Sequence, residues 1–477
     1  MLLMNVGDKS GKQLNDANIY AALEDAIRLG ADVINISLGK IAGFGSTDMA
    51  GRGYDRVIKR AYERGIDVVC SAGNTSKLGK GSVLDTKYGI TKPRASNPDY
   101  SVLSDPSGFP FAIAAAASVN TEYIQDNYIS ASGIEVIKYN APPNSDFTKS
   151  FGGKATQYAV VPGLGEAADY DNINVKDKLA LISRGALTFV EKLKNAAKAG
   201  AVGALIYDNT DSAELVNMAV DDGQIPCAAI SKSDGLALAA EAAGDMTITV
   251  VTDKGKTMPA PNAGGMADYS SWGVTPDLRL KPDVPAPGSY IYSAFNDGYG
   301  TMSGTSMAAP HITGALAVIK QYLKTTDTSK LDEGERLALP RAMLMGTASP
   351  VYDKTAGADY SPRLQGAGRI DLAAEVATRA GMYNPETLEA KLELGDKLGD
   401  SFKLTFTVKN LSNRALDYFV EATAMTDGYE YIKYTDKDGS IADNAAADKD
   451  AAGDWFVTGD PKALVSASIK LSGGARN

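Results

Sequence analysis

One histidine occurs in 477 residues, and it stands five residues after a serine, in "YGTMSGTSMAAPHITGALAVI" (Tyr299–Ile319). A serine beside a lone histidine suggests a nucleophile and its base. The local pattern supports the first role and argues against the second. Gly304-Thr305-Ser306 leads into the apolar run "ITGALAVIKQYL", so Ser306 falls at the N-terminus of a helix. Pro310 then falls near the fourth helical position, about the last place where its missing N–H is harmless. Unpaired N–H groups and the helix dipole stabilise negative charge at such a terminus. Attack of a serine on a carbonyl needs this, because it makes an oxyanion. The Gly-x-Ser-x-Gly elbow is absent, since Met307-Ala308 follows Ser306. A serine N-cap on a core helix would show the same local pattern. At about 100° per residue, His311 lies roughly 140° round the helix from Ser306, nearly opposite, which is a packing position rather than that of a base.

Other elements must position this segment. Residues Asp16 to Gly30 place Ile19, Ala22, Leu23, Ala26 and Ile27 on one helical face, with Asn15 or Asp16 as cap. "LLMNV", "ADVINISLG", "IDVVCSAGN" and "FPFAIAAAAS" read as strands, with "DRVIKRAYERG" as a second helix. The βαβα order predicts an α/β fold, a parallel sheet with helices on both faces. Right-handed crossovers then bring the strand C-termini, hence "SLG" and "SAGN", to one edge. Composition shifts near Asn120. Residues 126–264 read as an inserted α+β unit, dividing the first domain into 1–125 and 265–380. Residues 386–477 alternate as an all-β unit of sandwich character, with strands at "LEAKLEL", "SFKLTFTVKNLS", "ALDYFVEATAM" and "YEYIKYTD" and no closing strand at the end.

Composition excludes several functions. The net charge is −10 and the pI about 4.9, which speaks against nucleic acid and anionic membrane as partners. No run of 18 apolar residues occurs, so no membrane span is expected, and "MLLMNVGDKSGK" lacks the features of a signal peptide. Cys70 and Cys227 read as buried small hydrophobes, and with one histidine they offer no zinc set.

As a whole, the quoted segment resembles the active-serine signature of subtilisin-like serine proteases, the subtilases. "INISLG", "VVCSAGN", "FPFAIAAAAS" and "SSWGVTPDLRLKPDVPAPG" resemble further segments of that family in the correct order. The insert, with "ISRGALTFVEKLKNAAKAGAVGALIY", resembles a protease-associated domain. "YSPRLQGAGRIDLAAEV" and the β unit resemble the large cell-envelope subtilases of the lactocepin type, with a fibronectin-like domain there, incomplete in this chain. The resemblance implies a serine endopeptidase acting on protein or peptide, outside the cell or at its surface, with no required cofactor. It makes Ser306 the nucleophile and Asn74 the side-chain oxyanion donor, partnered by the Ser306 backbone N–H. It sets Ser37-Leu38-Gly39 and Ser71-Ala72-Gly73 along the substrate as extended backbone, and it makes Phe109–Pro110 a cis peptide. Calcium is common in the family. "DNTDSAE" and "YTDKDGS" are loops that could ligate it, although both read more readily as solvated turns.

The chain departs from the family in one respect. The family's aspartate and histidine motifs precede the substrate-binding strand, and here no histidine precedes His311. Without a base Ser306 is an unactivated hydroxyl, with a rate loss on the order of 10⁶, a magnitude taken from subtilisin itself. The expectation is a fragment, poorly active alone, with an exposed apolar sheet surface prone to aggregation. The alternative is a non-catalytic module that grips extended peptide or a surface partner.

Overall fold

The computed structural model describes residues 1–7, 15–40, 53–77, 101–210, 215–216, 218–241, 246–252, 255–295, 298–393, 403–433 and 455–475. The chain divides into two compact units, Met1–Glu122 with Pro259–Asn477, and Tyr123–Met258. In chain order the elements begin with α1 (Asp16–Arg28), β1 (Val33–Ile36), α2 (Gly53–Glu63), β2 (Asp67–Ser71), β3 (Ala112–Val119) and β4 (Glu122–Gln125). There follow β5 (Tyr128–Ala131), β6 (Ile134–Ile137), α3 (Phe147–Phe151), β7 (Ala155–Val160), β8 (Leu179–Ser183), α4 (Phe189–Lys198) and β9 (Gly203–Tyr207). Then come β10 (Cys227–Ile230), α5 (Lys232–Ala240), β11 (Thr247–Val251) and β12 (Lys256–Pro259). The first unit resumes with β13 (Val284–Ser289), β14 (Ile291–Phe295), β15 (Gly298–Met302), α6 (Thr305–Lys324) and α7 (Glu333–Gly346). Its last elements are β16 (Tyr352–Asp353), β17 (Ala358–Asp359), α8 (Pro362–Gln365), α9 (Leu372–Ala377), β18 (Ala380–Tyr383), β19 (Thr407–Asn410), β20 (Leu416–Lys433) and β21 (Trp455–Ala475).

The first unit is built on a parallel sheet in the order β1-β2-β3-β13. α1 forms where its apolar face predicts, with Asn15 Oδ1 accepting from the Ala17 N–H at 2.9 Å. Ile19, Leu23 and Ile27 pack with Tyr54, Val57 and Ile58 of α2 against Val68, Cys70 and Ala112. β3 is Ala-rich and buried throughout, so helices can close on the sheet from both faces. α6 buries Ala308, Ala309, Ile312, Leu316 and Ile319 and packs on β2, β3 and β13.

The second unit holds a mixed sheet in the order β10-β9-β8-β7-β11-β5-β6. Alternation in β8 and β9 sends Ile182 and Ile206 into one apolar cluster and Leu181 and Leu205 into another. α4 starts at a reciprocal cap. Thr188 Oγ1 accepts from the Glu191 N–H, and Glu191 Oε2 accepts from the Thr188 N–H. α5 lies so close to β9 that a Cβ added at Gly235 would stand 2.1 Å from Tyr207 Cβ. Gly235→Ala is therefore expected to destabilise this unit by about 1–3 kcal/mol through overpacking, read as a lowered thermal midpoint.

Several expectations are corrected. "LLMNV" is not a strand: Leu2 and Leu3 are exposed and no described strand pairs with residues 2–6. Phe109–Pro110 is not cis; among the described residues the cis X–Pro bonds are Asp105–Pro106 and Lys281–Pro282, and the chain turns at Ser104–Ser107, earlier than expected. "LEAKLEL" forms no strand over its described residues, which are taken up in a turn closed by Asn384 and in ion pairs to Arg279. The C-terminal run does close in a strand: β21 pairs antiparallel with β20 over nearly its whole length. A short pair, β18 with β19, is held to α7 where Glu335 accepts from Tyr383 Oη at 2.7 Å and from Lys409 Nζ at 2.8 Å. Among the described residues these strands form two-stranded pairs.

Candidate functional site

β2 is buried at all five positions and points its C-terminal end at Asn74. Gly73 is needed on the way: at φ 111 a Cβ would stand 2.3 Å from Ser104 Oγ and 2.7 Å from Ser271 Oγ. Asn74 then meets the start of α6. Its Oδ1 accepts from both the Thr305 N–H at 2.9 Å and Thr305 Oγ1–H at 2.8 Å. Thr305 Oγ1 in turn accepts from the Gly73 N–H at 3.1 Å. With both Thr305 donors on the oxygen, Nδ2 is left for another acceptor, beside Gly304. A Cβ added at Gly304 would lie 3.2 Å from Asn74 Nδ2 and 3.6 Å from Ser306 N. Both nitrogens thus border one point, and only glycine at 304 keeps it open. Ser306 is the second residue of α6, so its N–H has no acceptor within the helix. The arrangement offers two neutral donors to a developing oxyanion beside a hydroxyl, without a desolvated charge.

Ser37 lies directly beyond β1, level with Ser71, the last residue of β2, since Ile36 pairs with Cys70. Ser306 Oγ donates to Ser37 O at 3.1 Å, and Ser37 Oγ donates to Ser306 O at 2.7 Å. The second bond has its cause in Pro310. Pro310 is the sixth residue of α6, not the fourth as the sequence suggested, so it cannot donate to the carbonyl of Ser306. That carbonyl is left for the Ser37 hydroxyl. The two segments expected to flank a substrate differ. The Ala72 N–H donates to Ala115 O and Ala72 O accepts from Ser104 N; Gly73 O accepts from Ser271 N. Among the described residues nothing bonds the Leu38 backbone, and Gly39 must be small because a Cβ would stand 2.3 Å from Asp105 O.

His311 is corrected in one respect. It is exposed rather than packed, with Nδ1 2.8 Å from Met307 O on its own helix. It borders the same cavity as Ser306, about 400 Å³, together with Ile291, Tyr292, Met302 and Pro310. No hydrogen bond joins it to Ser306, whose hydroxyl is directed at Ser37. A larger cavity of about 810 Å³ lies at the opposite ends of the strands, beside Tyr62, Phe111, Arg279 and Arg341. It borders the Asp67–Arg341 and Asp283–Lys391 ion pairs and has no serine, cysteine or histidine in its lining.

Sequence reasoning missed Thr305 and Pro310 as working parts of the site, although both stand in the quoted segment. Of the calcium-loop candidates, "YTDKDGS" lies outside the described residues, and "DNTDSAE" is described only to Thr210. Asp208 is taken by Arg184 Nη1 at 3.0 Å and by the Asn209 and Thr210 N–H groups. Among the described residues no group of three acidic, histidine or cysteine side chains could hold a metal ion, and no described helix is long and apolar enough to cross a membrane.

Comparison with known proteins adds to this geometry. The chain is 34% identical over 447 residues to the C5a peptidase of Streptococcus pyogenes serotype M3 (strain ATCC BAA-595 / MGAS315), covering 90% of this chain and 35% of that protein. It is 31% identical over 463 residues to the PII-type proteinase of Lactococcus lactis subsp. cremoris, covering 89% of this chain and 23% of that protein. The chain thus spans about a third of the length of the first relative and a quarter of the second. Among solved structures, the psychrophilic subtilisin-like protease Apa1 from Pseudoalteromonas sp. AS-11 aligns over 78% of this chain and 76% of its own, at 18% identity and a TM-score of 0.35. Residues 1–368 match the Subtilase family model. The chain belongs to the subtilase family, and its first unit carries the subtilisin-like α/β fold.

Proposed function

We propose that these 477 residues carry the nucleophile and the oxyanion pocket of a serine endopeptidase. The observation that carries this is the clasp of Thr305 on Asn74 Oδ1, which leaves the amide donor beside the helix start that holds Ser306. Ser306 Oγ attacks the scissile carbonyl carbon as its proton passes to a base. The carbonyl oxygen becomes an oxyanion that accepts from Asn74 Nδ2 and the Ser306 N–H. Collapse expels the amine and leaves an acyl-enzyme, which water hydrolyses by the same steps. The free backbone at Leu38 receives the substrate as an extended strand.

The base comes from polypeptide outside these residues. His311 is the only histidine, and its Nδ1 is engaged with Met307 O. Unit Tyr123–Met258 acts as a protease-associated domain that filters substrates, and the β strands after residue 386 belong to a fibronectin-like domain. The protein works outside the cell or at its surface on protein or peptide, and needs no cofactor for the chemistry. A second reading, a peptide-gripping module without chemistry, is favoured by the turn of the Ser306 hydroxyl onto Ser37 O.

A fluorophosphonate label decides, with Ser306→Ala as control. The expected result is no Ser306-dependent labelling of the chain alone, and such labelling when an Asp- and His-bearing segment of the family is joined ahead of Met1. Labelling of the chain alone, lost in Ser306→Ala, would show that a base lies within it. No labelling of the joined chain would favour the gripping module.

A further inference from the structure

We infer that Asp67 is a positioning residue that sets the axial register of the nucleophile's helix against the strand leading to Asn74. This rests on the reading of Ser306 and Asn74 given above. β2 and α6 lie along one another, and they are clasped at both ends. At the site end, Thr305 donates to Asn74. At the far end, Lys320 Nζ lies 2.8 Å from Asp67 Oδ2 and Arg341 Nε lies 2.7 Å from Asp67 Oδ1. The two struts match in length. Seven steps of strand from Asp67 to Asn74 span about 23 Å, and fifteen of helix from Thr305 to Lys320 about 22 Å. Both clasps therefore close without bending either element.

The far clasp gathers more than one strand. Lys320 Nζ also donates to Asp32 O at 2.9 Å and Gly65 O at 2.6 Å, and Arg341 Nη2 donates to Phe111 O at 2.7 Å. The starts of β1, β2 and β3 are thereby tied to α6 and α7. The Asp67 side chain is 2% exposed. Burial alone would raise its carboxyl pKa, but Arg341 and Lys320 outweigh burial and hold it below the ordinary value. An apolar cluster of the same volume would commonly be as stable. What three charged groups with defined donors add is direction: α6 can slide over apolar side chains but not past Asp67.

The test compares a peptide boronate with the matching peptide amide, on the full 477-residue chain. The boronate forms an Oγ–B bond with Ser306, the hydroxyl proton passing to solvent, and places a tetrahedral anion in the oxyanion pocket. The amide reports ground-state binding only. Asp67→Asn leaves two buried cations and risks unfolding, so Lys320→Met is the main variant; it keeps the Asp67–Arg341 pair. Lys320→Met is expected to weaken boronate binding about 10- to 10²-fold with amide affinity nearly unchanged, and to lower the thermal midpoint, since it removes one partner of a buried ion pair. Lys320→Arg is expected to restore boronate binding. A Lys320→Met chain that keeps the full boronate preference would overturn the inference. A separate result would strike the underlying reading instead: no boronate preference in the parent chain, and no effect of Ser306→Ala.

Discussion

Asn74→Ala is expected to weaken peptide boronate binding by about 10²- to 10³-fold, and Asn74→Asp to weaken it further. The scale is that of the equivalent donor removed from subtilisin, a member of the same family. The order of the two variants follows from the geometry here. Thr305 donates twice to Asn74 Oδ1, and one oxygen of an aspartate accepts both bonds equally well. The Asp variant therefore keeps the clasp, and its thermal midpoint stays near that of the parent. Its second oxygen, however, replaces the Nδ2 donor and presents negative charge to the boronate anion. The Ala variant loses the donor without adding repulsion. Equal losses in the two variants would mean that Nδ2 does not face the tetrahedral oxygen.

Glu375→Met is expected to stabilise the first unit, by roughly 3 kcal/mol more at pH 8 than near pH 4.5. Glu375 lies on α9, which packs on α6 and α7, and its side chain is fully buried. Among the described residues neither carboxylate oxygen has a hydrogen-bond partner. The charged groups of α6 and α7 are committed elsewhere or face solvent. Lys320 and Arg341 go to Asp67, Lys324 to Asp32, Glu335 to Lys409 and Arg336 to Leu331 O, while Glu333 is exposed. Burial, with Asp371 adding like charge, pushes the Glu375 carboxyl from 4.5 up to about 7. The folded chain then binds more protons than the unfolded one between those values, so stability falls as pH rises through that window. Above pH 7 the penalty is constant. The gap between the thermal midpoints of variant and parent should be smallest near pH 4.5, widen to pH 7 and stay constant beyond. Parallel curves throughout would mean that Glu375 is solvated.

The parts legible in the sequence were those set by near neighbours. The 3.6-residue spacing of Ile19, Leu23 and Ile27 is sufficient to place α1 and its buried face. The apolar runs of β2 and β3 and the alternation of strand with helix announce a parallel sheet, and the segment around Ser306 announces a hydroxyl at a helix start. Local reading went wrong where pairing was needed. "LLMNV" has the composition of a strand but no described partner, and the C-terminal run found one in β20. A strand exists only through its neighbour's hydrogen bonds, so composition alone could not decide either case.

The sequence by itself placed a hydroxyl at a helix N-terminus and a neutral amide at a strand end, because both follow from residue type and local periodicity; a role for them in chemistry is what the resemblance to subtilases implies. Only the tertiary structure decided how they face each other. Thr305 and Asn74 are 231 residues apart in the chain, as Asp67 and Arg341 are 274 apart. The turn of the amide, the hold of Ser37 on the Ser306 carbonyl and the burial of Glu375 away from any cation are all contacts between distant segments. No local pattern encodes them, because hydrogen bonding and desolvation depend on which surfaces the fold brings within 3 Å.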